Sequence, residues 1–230
     1  MLQITPELGT SQQALWDAQH AARGGEAGLE GDRLVDVPND AAILLGELLQ
    51  PGSVIAEIGS ANGRDARHWA QQGHKVYAMD FSPVALGQLV EHAGRQGVAD
   101  KISPIQFDAN TGTLPDEVGE IDGFYARSAL HVDDSTLMRL LASIDERLRP
   151  GGIVLIEGKT TDDPKIARSR TLGNGLAVDD HENGHVRRIW THDSVAAISR
   201  AFGWTAINVD SKREEWLNTD ASFLRFVANK

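Results

Sequence analysis

Short apolar runs alternate with amphipathic stretches along this chain, and the alternation predicts an architecture. Residues 11–23, "SQQALWDAQHAAR", have helical periodicity behind Ser11, which the pattern places as an N-cap. Residues 24–31, "GGEAGLEG", break that helix. A second helix is expected over 38–49, with Ala42, Leu45, Leu48 and Leu49 at helical spacing. The pattern then changes. "SVIAEIG" (53–59), "HKVYAMD" (74–80), "KISPIQFD" (101–108), the start of "IDGFYARSAL" (121–130) and "IVLIEGK" (153–159) read as five strands. Residues 63–73, 82–97 and 134–152 read as the helices between them, with Ser82 as cap and Pro83 at the first helical position of the second. Pro104 cannot donate to a ladder, which puts the third strand at a sheet edge. After an irregular insert at 160–190 come a helix (191–203) and strands near 204–210 and 222–228, joined by a link that favours antiparallel pairing. Strand–helix alternation builds a mostly parallel α/β sheet with helices on both faces. The expectation is a single domain over 1–230, with an N-terminal helical cap or lid (1–37) and an antiparallel last strand.

Charge narrows the partners. The 230 residues carry a formal net charge of -11, which repels nucleic acid phosphates and anionic lipid. The short basic spots Arg168/Arg170 and Arg187/Arg188 read as solvated faces. There is no cysteine, hence no disulfide, thiolate metal site or Cys nucleophile, and a cytoplasmic location is expected. The N-terminus has neither the basic region nor the apolar run of a signal peptide. No segment reaches 18 apolar residues. The expected partner is a small molecule, with no nucleic acid and no membrane; the oligomeric state is open.

Open parallel sheets bind ligands beyond the carboxyl ends of their strands. After the first strand stands "EIGSANG", with Glu57, Gly59, Ala61 and Gly63. Small residues there let the backbone approach a ligand. Asp80 follows the second strand, placed to accept two ribose hydroxyls, and Asp108 follows the third, placed to reach an adenine amine. A nicotinamide dinucleotide would want G-x-G-x-x-G, but Ala61 and Arg64 stand at the second and third glycine positions. Glu57 would repel a pyrophosphate, whereas it suits the cationic amino acid end of S-adenosylmethionine.

"EIGSANG" resembles motif I, [DE]-x-G-x-G-x-G, of the class I S-adenosylmethionine-dependent methyltransferases, and "LRPGGIVLIEG" resembles that family's approach to strand five. The resemblance runs from about residue 38 to 160 and implies a Rossmann-like seven-stranded fold. Ala61 departs from the motif's middle glycine, at little cost if its φ is negative. "WDAQH" with "GRDARHWAQQGHKVYAMDFSPVAL" looks like the small-molecule branch containing the thiopurine and tellurite-resistance methyltransferases. The resemblance implies S-adenosylmethionine as cofactor, held by Glu57, Gly59, Ala61, Gly63, Asp80, Phe81, Asp108, Ala109 and Arg127, although Arg127 also suits a pair with a sheet acid. It implies methyl transfer by direct displacement to an N, O or S nucleophile of a small molecule. A nicotinamide-dependent oxidoreductase and a non-catalytic nucleoside-binding module are the alternatives.

One string points elsewhere. His181-Glu182-Asn183-Gly184-His185 fits H-E-x-x-H, a zinc-protease pattern that needs both imidazoles on one helix face. Asn-Gly is instead a hairpin signal, so a turn at 183–184 is expected, with Glu182 opposite His185, His181 near Val186, and no metal site. Such a hairpin would either cover the acceptor with His181, His185 and Arg187 or Arg188, or stand as a solvated tip; Trp16 and His20 of the first helix would either close over the cofactor or serve packing alone. His131, just past strand four, is the candidate general base, or else a wall of the pocket.

Overall fold

The computed structural model describes residues 6–22, 37–182, 184–216 and 219–230. The break expected at 24–31 and Asn183 of the expected turn lie outside them. Helix α1 spans Pro6–Ala22, so it starts earlier than expected and Ser11 lies inside it, not at its cap. Proline serves at the first turn because the N–H it lacks would have no helical partner there.

The sheet has seven strands: β1 (Val54–Ile58), β2 (Lys75–Asp80), β3 (Ile102–Gln106), β4 (Ile121–Arg127), β5 (Leu148–Lys159), β9 (Thr205–Trp216) and β10 (Thr219–Asn229). Their order is β3-β2-β1-β4-β5-β10-β9. The pairs from β3 to β5 are parallel, and β10 runs antiparallel to both β5 and β9. Pro104 thus sits on the edge strand, as its missing N–H requires.

Helices cover both faces. Ala41, Ala42 and Leu45 of α2 (Asp40–Leu48), Trp69 of α3 (Arg64–Gln71) and Leu89 of α4 (Pro83–Arg95) pack with Ile55, Tyr125 and Leu155 on one face. Leu137, Leu140 and Ile144 of α5 (Asp134–Arg147) and Ile198 of α7 (His192–Phe202) pack with Ala56, Phe124 and Ile156 on the other. Successive strand residues point to opposite faces, which is how each strand feeds both cores. Leu48, expected in the buried stripe of α2, is 37% exposed. Helix α5 stops at Arg147 instead of continuing to 152, because Leu148 already enters β5, where it pairs with Ile121. Ser82 caps α4 by accepting from the Ala85 N–H at 3.2 Å, with Pro83 following.

The insert carries a short helix α6 (Pro164–Ala167) and a second sheet that the sequence pattern did not reveal: β6 (Arg170–Gly173), β7 (Leu176–Asp179) and β8 (His185–Arg188), antiparallel in that order. Its tight two-residue turn is Asn174-Gly175, both at positive φ (50° and 77°). The β7–β8 ladder closes at the Asp179–His185 pair, wider than a two-residue turn at 183–184 would allow. Asp179 pairs with His185 and Val178 with Val186, and a 3-10 turn fills Asp180–Glu182. Glu182 therefore does not face His185 across a ladder, nor does His181 lie beside Val186. The H-E-x-x-H string runs from a 3-10 turn into a strand, so the helix that would align its imidazoles is not formed. Among the described residues, no helix is long and apolar enough to cross a membrane.

Candidate active site

The β1–α3 loop is bound to the end of β2. The N–H groups of Gly59 and Ser60 donate to the Met79 carbonyl at 2.8 and 3.0 Å. Ala61 N–H donates to Asp80 Oδ2 at 2.8 Å, and Ser82 N–H donates to Asp80 Oδ1 at 2.9 Å. Asp80 therefore shapes the glycine loop as well as facing the site. Burial raises its carboxyl above the usual carboxylate range, opposed by the Ser82 and Ala61 N–H groups and the nearby His20.

Ala61 adopts φ 48°, the left-handed region, so its departure from the motif's glycine is not free. That conformation costs an L residue about 1–2 kcal/mol, while glycine gives back about 0.4–1 kcal/mol through unfolded-chain entropy. Ala61→Gly is expected to stabilise the ligand-free protein by about 0.5–1 kcal/mol. Chemical denaturation reads this; a destabilised variant would show that the methyl group packs favourably.

Glu57 is 2% exposed at the end of β1, and among the described residues its Oε2 has no hydrogen-bond partner; Ser60 Oγ nearby is likewise buried and unpaired among them. Burial pushes the Glu57 carboxyl well up, and the neighbouring carboxylates Asp65 and Asp80 push it further. Asp65 was not singled out by the sequence. It accepts from Asn39 N–H (2.9 Å), Asn39 Nδ2 (2.6 Å) and Tyr125 OH (3.2 Å), joining the approach to α2, α3 and β4 behind Glu57. Partners separated by 26 and 60 residues leave no local spacing to read. An orphaned, buried carboxylate beside a small-residue loop fits a ligand that brings a cation.

Phe81 and Asp108 follow β2 and β3. Asp108 Oδ1 caps the 3-10 turn Ala109–Thr111 by accepting from the Asn110 N–H at 2.9 Å. Arg127 Nε donates to Glu157 Oε1 at 2.6 Å, and its guanidinium lies 4.8 Å from the Phe223 ring centre. It thus makes the pair with a sheet acid that was the other reading of its position.

Helix α1 is fastened across this end of the sheet. Gln12 Nε2 donates to the Gly184 carbonyl (2.8 Å) and Gln12 Oε1 accepts from Val186 N–H (3.0 Å). Ser82 hydroxyl donates to Asp17, and Gln88 Nε2 donates to the His20 carbonyl at 3.0 Å. Trp16 lies 5.0 Å from His185 and 6.5 Å from His131, near-parallel to both at 13° and 10°, and 6.2 Å from His20. His181 stays exposed on its turn and does not join them.

His131 Nδ1 accepts from the Arg188 N–H at 3.2 Å. Burial, with the positive charge of Arg187, lowers its pKa to about 3. The neutral ring consequently carries its proton on Nε2, and neither nitrogen presents a free lone pair. Arg187 and Arg188, expected on a solvated face, are 7% and 4% exposed. Arg188 Nη1 donates to the Val132 carbonyl at 3.0 Å and Nη2 to Asp134 at 2.5 Å.

Residues 55–152 match the family model of a methyltransferase domain. Over 119 residues the chain is 34% identical to the ribosomal protein L11 methyltransferase of Symbiobacterium thermophilum, covering 50% of this chain but 34% of that protein. The chain thus spans about a third of the length of that curated relative. The 1,6-didemethyltoxoflavin-N1-methyltransferase of Burkholderia thailandensis, solved with 1,6-didemethyltoxoflavin and S-adenosylhomocysteine, shares the fold with a TM-score of 0.67 at 23% identity, covering 94% of this chain and 88% of that one. TehB from Haemophilus influenzae gives 0.66 at 13%, covering 86% and 64%. Residues 55–152 thus resemble a methyltransferase domain, and that stretch contains the glycine loop, Asp80 and Asp108, while the solved structures share the fold over most of the chain.

Proposed function

We propose that this protein transfers the methyl group of S-adenosylmethionine to a small-molecule nucleophile by direct displacement. The observation that carries the reading is the buried Glu57 with its unpaired Oε2, beside the loop held by Asp80. When bound, the cofactor supplies a methyl group on a sulfonium whose leaving group is neutral. Glu57 would hold its ammonium group, Asp80 the ribose hydroxyls and Asp108 the adenine amine, with Phe81 and Ala109 flanking the base. Catalysis then rests on positioning, worth about 7–11 kcal/mol, and not on early proton removal. The occupied ring nitrogens of His131 fit a pocket wall better than a base.

The fastened α1 supports a small acceptor. A polypeptide or nucleic acid strand would have to displace the Gln12, Asp17 and His20 contacts, and a chain of net charge -11 offers nucleic acid no general attraction. The cysteine-free sequence fits the cytoplasm.

S-adenosylhomocysteine at 100 times its dissociation constant is expected to add about 2.7 kcal/mol of stability, while NADH adds none. Thermal shift reads this, and a shift with NADH alone would overturn the cofactor reading. With methyl-labelled cofactor and a cell extract, label is expected in the small-molecule fraction. Label confined to protein would overturn the acceptor class.

A further inference from the structure

The insert holds a charge cluster that runs against the acidity of the whole chain. Lys165, Arg168 and Arg187 face two carboxylates, Asp179 and Glu182. Lys165 Nζ pairs with Glu182 at 2.6 Å. Arg168 pairs with Asp179 at 2.9 Å and with Glu182 at 3.0 Å. Arg187 Nη2 donates to Glu182, and its Nη1 stands 3.8 Å from Asp179, beyond hydrogen-bond reach. Three cations against two acids leave one positive charge over.

The surplus has an address. Arg187 is 7% exposed, and its Nη1 is buried with no hydrogen-bond partner among the described residues. In β8, Arg187 and His185 share a face, because strand side chains alternate. That face meets Trp16, 5.0 Å from the His185 ring, and Trp16 in turn lies near-parallel to His131. Arg187 also acts electrostatically on both His131 and Lys159, which stand at the carboxyl ends of β4 and β5. The orphaned guanidinium N–H and the aromatic group therefore belong to the end of the sheet where ligands bind.

The geometry points to an acceptor subsite in which Arg187 Nη1 donates to an anionic oxygen and Trp16, with His131 and His185, receives the face of a planar aromatic ring. The acceptor class is a planar aromatic or heteroaromatic anion, a carboxylate or an ionised hydroxyl. A guanidinium buried with one N–H unpaired is satisfied by such an oxygen, and charge-assisted bonds of this kind are the strong ones. An uncharged or saturated analogue leaves one half of the subsite unused. This inference rests on the methyltransferase reading, since it takes the cofactor end of the sheet as the acceptor's location.

The test uses the full chain saturated with S-adenosylhomocysteine, whose own titration is recorded first, so that failure of the cofactor reading appears separately. Quinoline-2-carboxylate, 4-nitrophenolate, quinoline-2-carboxamide and cyclohexanecarboxylate are then titrated by calorimetry. At least one of the two planar anions is expected to bind about tenfold or more tighter than the carboxamide and the saturated acid, and the one that does so distinguishes carboxylate from ionised hydroxyl. Arg187→Gln is expected to remove the preference for charge with S-adenosylhomocysteine affinity unchanged, and Trp16→Ala the preference for a planar ring. Arg187→Lys guards against misfolding: it keeps the charge beside Glu182 but lacks the Nη1 donor, and should lose about fivefold or more of the anion affinity. Equal binding of all four probes, no binding of either planar anion, or a charge preference surviving both Arg187 variants would overturn the subsite.

Discussion

Glu57→Gln is expected to make the ligand-free protein more stable while abolishing its response to S-adenosylhomocysteine. Glu57 is buried at the end of β1 with Oε2 unpaired, and Asp65 and Asp80 add repulsion to the cost of burial. A buried polar group left unsatisfied costs about 1–3 kcal/mol, and more when charged. Glutamine keeps the shape and removes the charge. The variant should gain about 1–3 kcal/mol near neutral pH, or about 2–4 °C of melting temperature for each kcal/mol. The sign follows from linkage. The folded-state pKa of Glu57 is raised, so its contribution to stability is fully present below the ordinary carboxylate pKa and is lost as pH rises through the folded-state value. The gain from Glu57→Gln should therefore be largest above that value and vanish in acid. Ligand binding moves the other way, because the carboxylate that burdens the free protein is the group proposed to hold the ligand's ammonium. A variant that loses stability but still binds S-adenosylhomocysteine would remove Glu57 from the cofactor site.

The same loop shows what a sequence reveals and what it hides. β1, β2, β4 and β5 were legible because parallel strands buried on both faces read as apolar runs, with turn residues between them. Ser82-Pro83 and Pro104 were legible because each residue's backbone chemistry fixes its place. The three-stranded insert was hidden by its four-residue strands, too short for periodicity to register. Asn-Gly occurs at 174–175 and at 183–184, and among the described residues a ladder closes tightly only around the first, at Gly173 and Leu176. Dipeptide chemistry permits such a turn, but cross-strand pairing selects it. In the site, Glu57, Gly59 and Asp80 were visible at the strand ends, whereas Asp65 gains its role from residues distant in sequence. The burial of Arg187 and Arg188 was equally invisible, because a pair of arginines looks the same on a solvated face as beneath a helix. The φ of Ala61 depends on its bond to Asp80, which residue identity alone does not specify.

Gly59→Ala is expected to be the most destabilising single-methyl change in the cofactor loop, by about 2–4 kcal/mol. Two causes add. Gly59 has φ 82°, where a Cβ costs about 1–2 kcal/mol. The added methyl would also stand 2.3 Å from Ala129 Cβ and 3.5 Å from Ala129 Cα. Ala129 cannot easily retreat: Ser128 before it holds φ 52° and donates its N–H to the Glu157 carbonyl at 2.8 Å, and the Ala129 carbonyl accepts from the His131 N–H at 2.9 Å. Overpacking of this kind costs about 1–3 kcal/mol, against about 0.4–1 kcal/mol returned by stiffening the unfolded chain. Gly52 provides the control, because it has nearly the same φ, 81°, with nothing within 4 Å of a built Cβ. Gly52→Ala should show the backbone term alone. The excess in Gly59→Ala measures the clash, and Ala129→Gly in the same chain should recover that excess but not the backbone term. Denaturant midpoints of the three variants and the parent chain decide the matter. Equal losses at Gly52 and Gly59 would mean that the β4–α5 connection yields, and that Gly59 is required for its φ and not for the close approach of the two loops framing the proposed methyl-donor site.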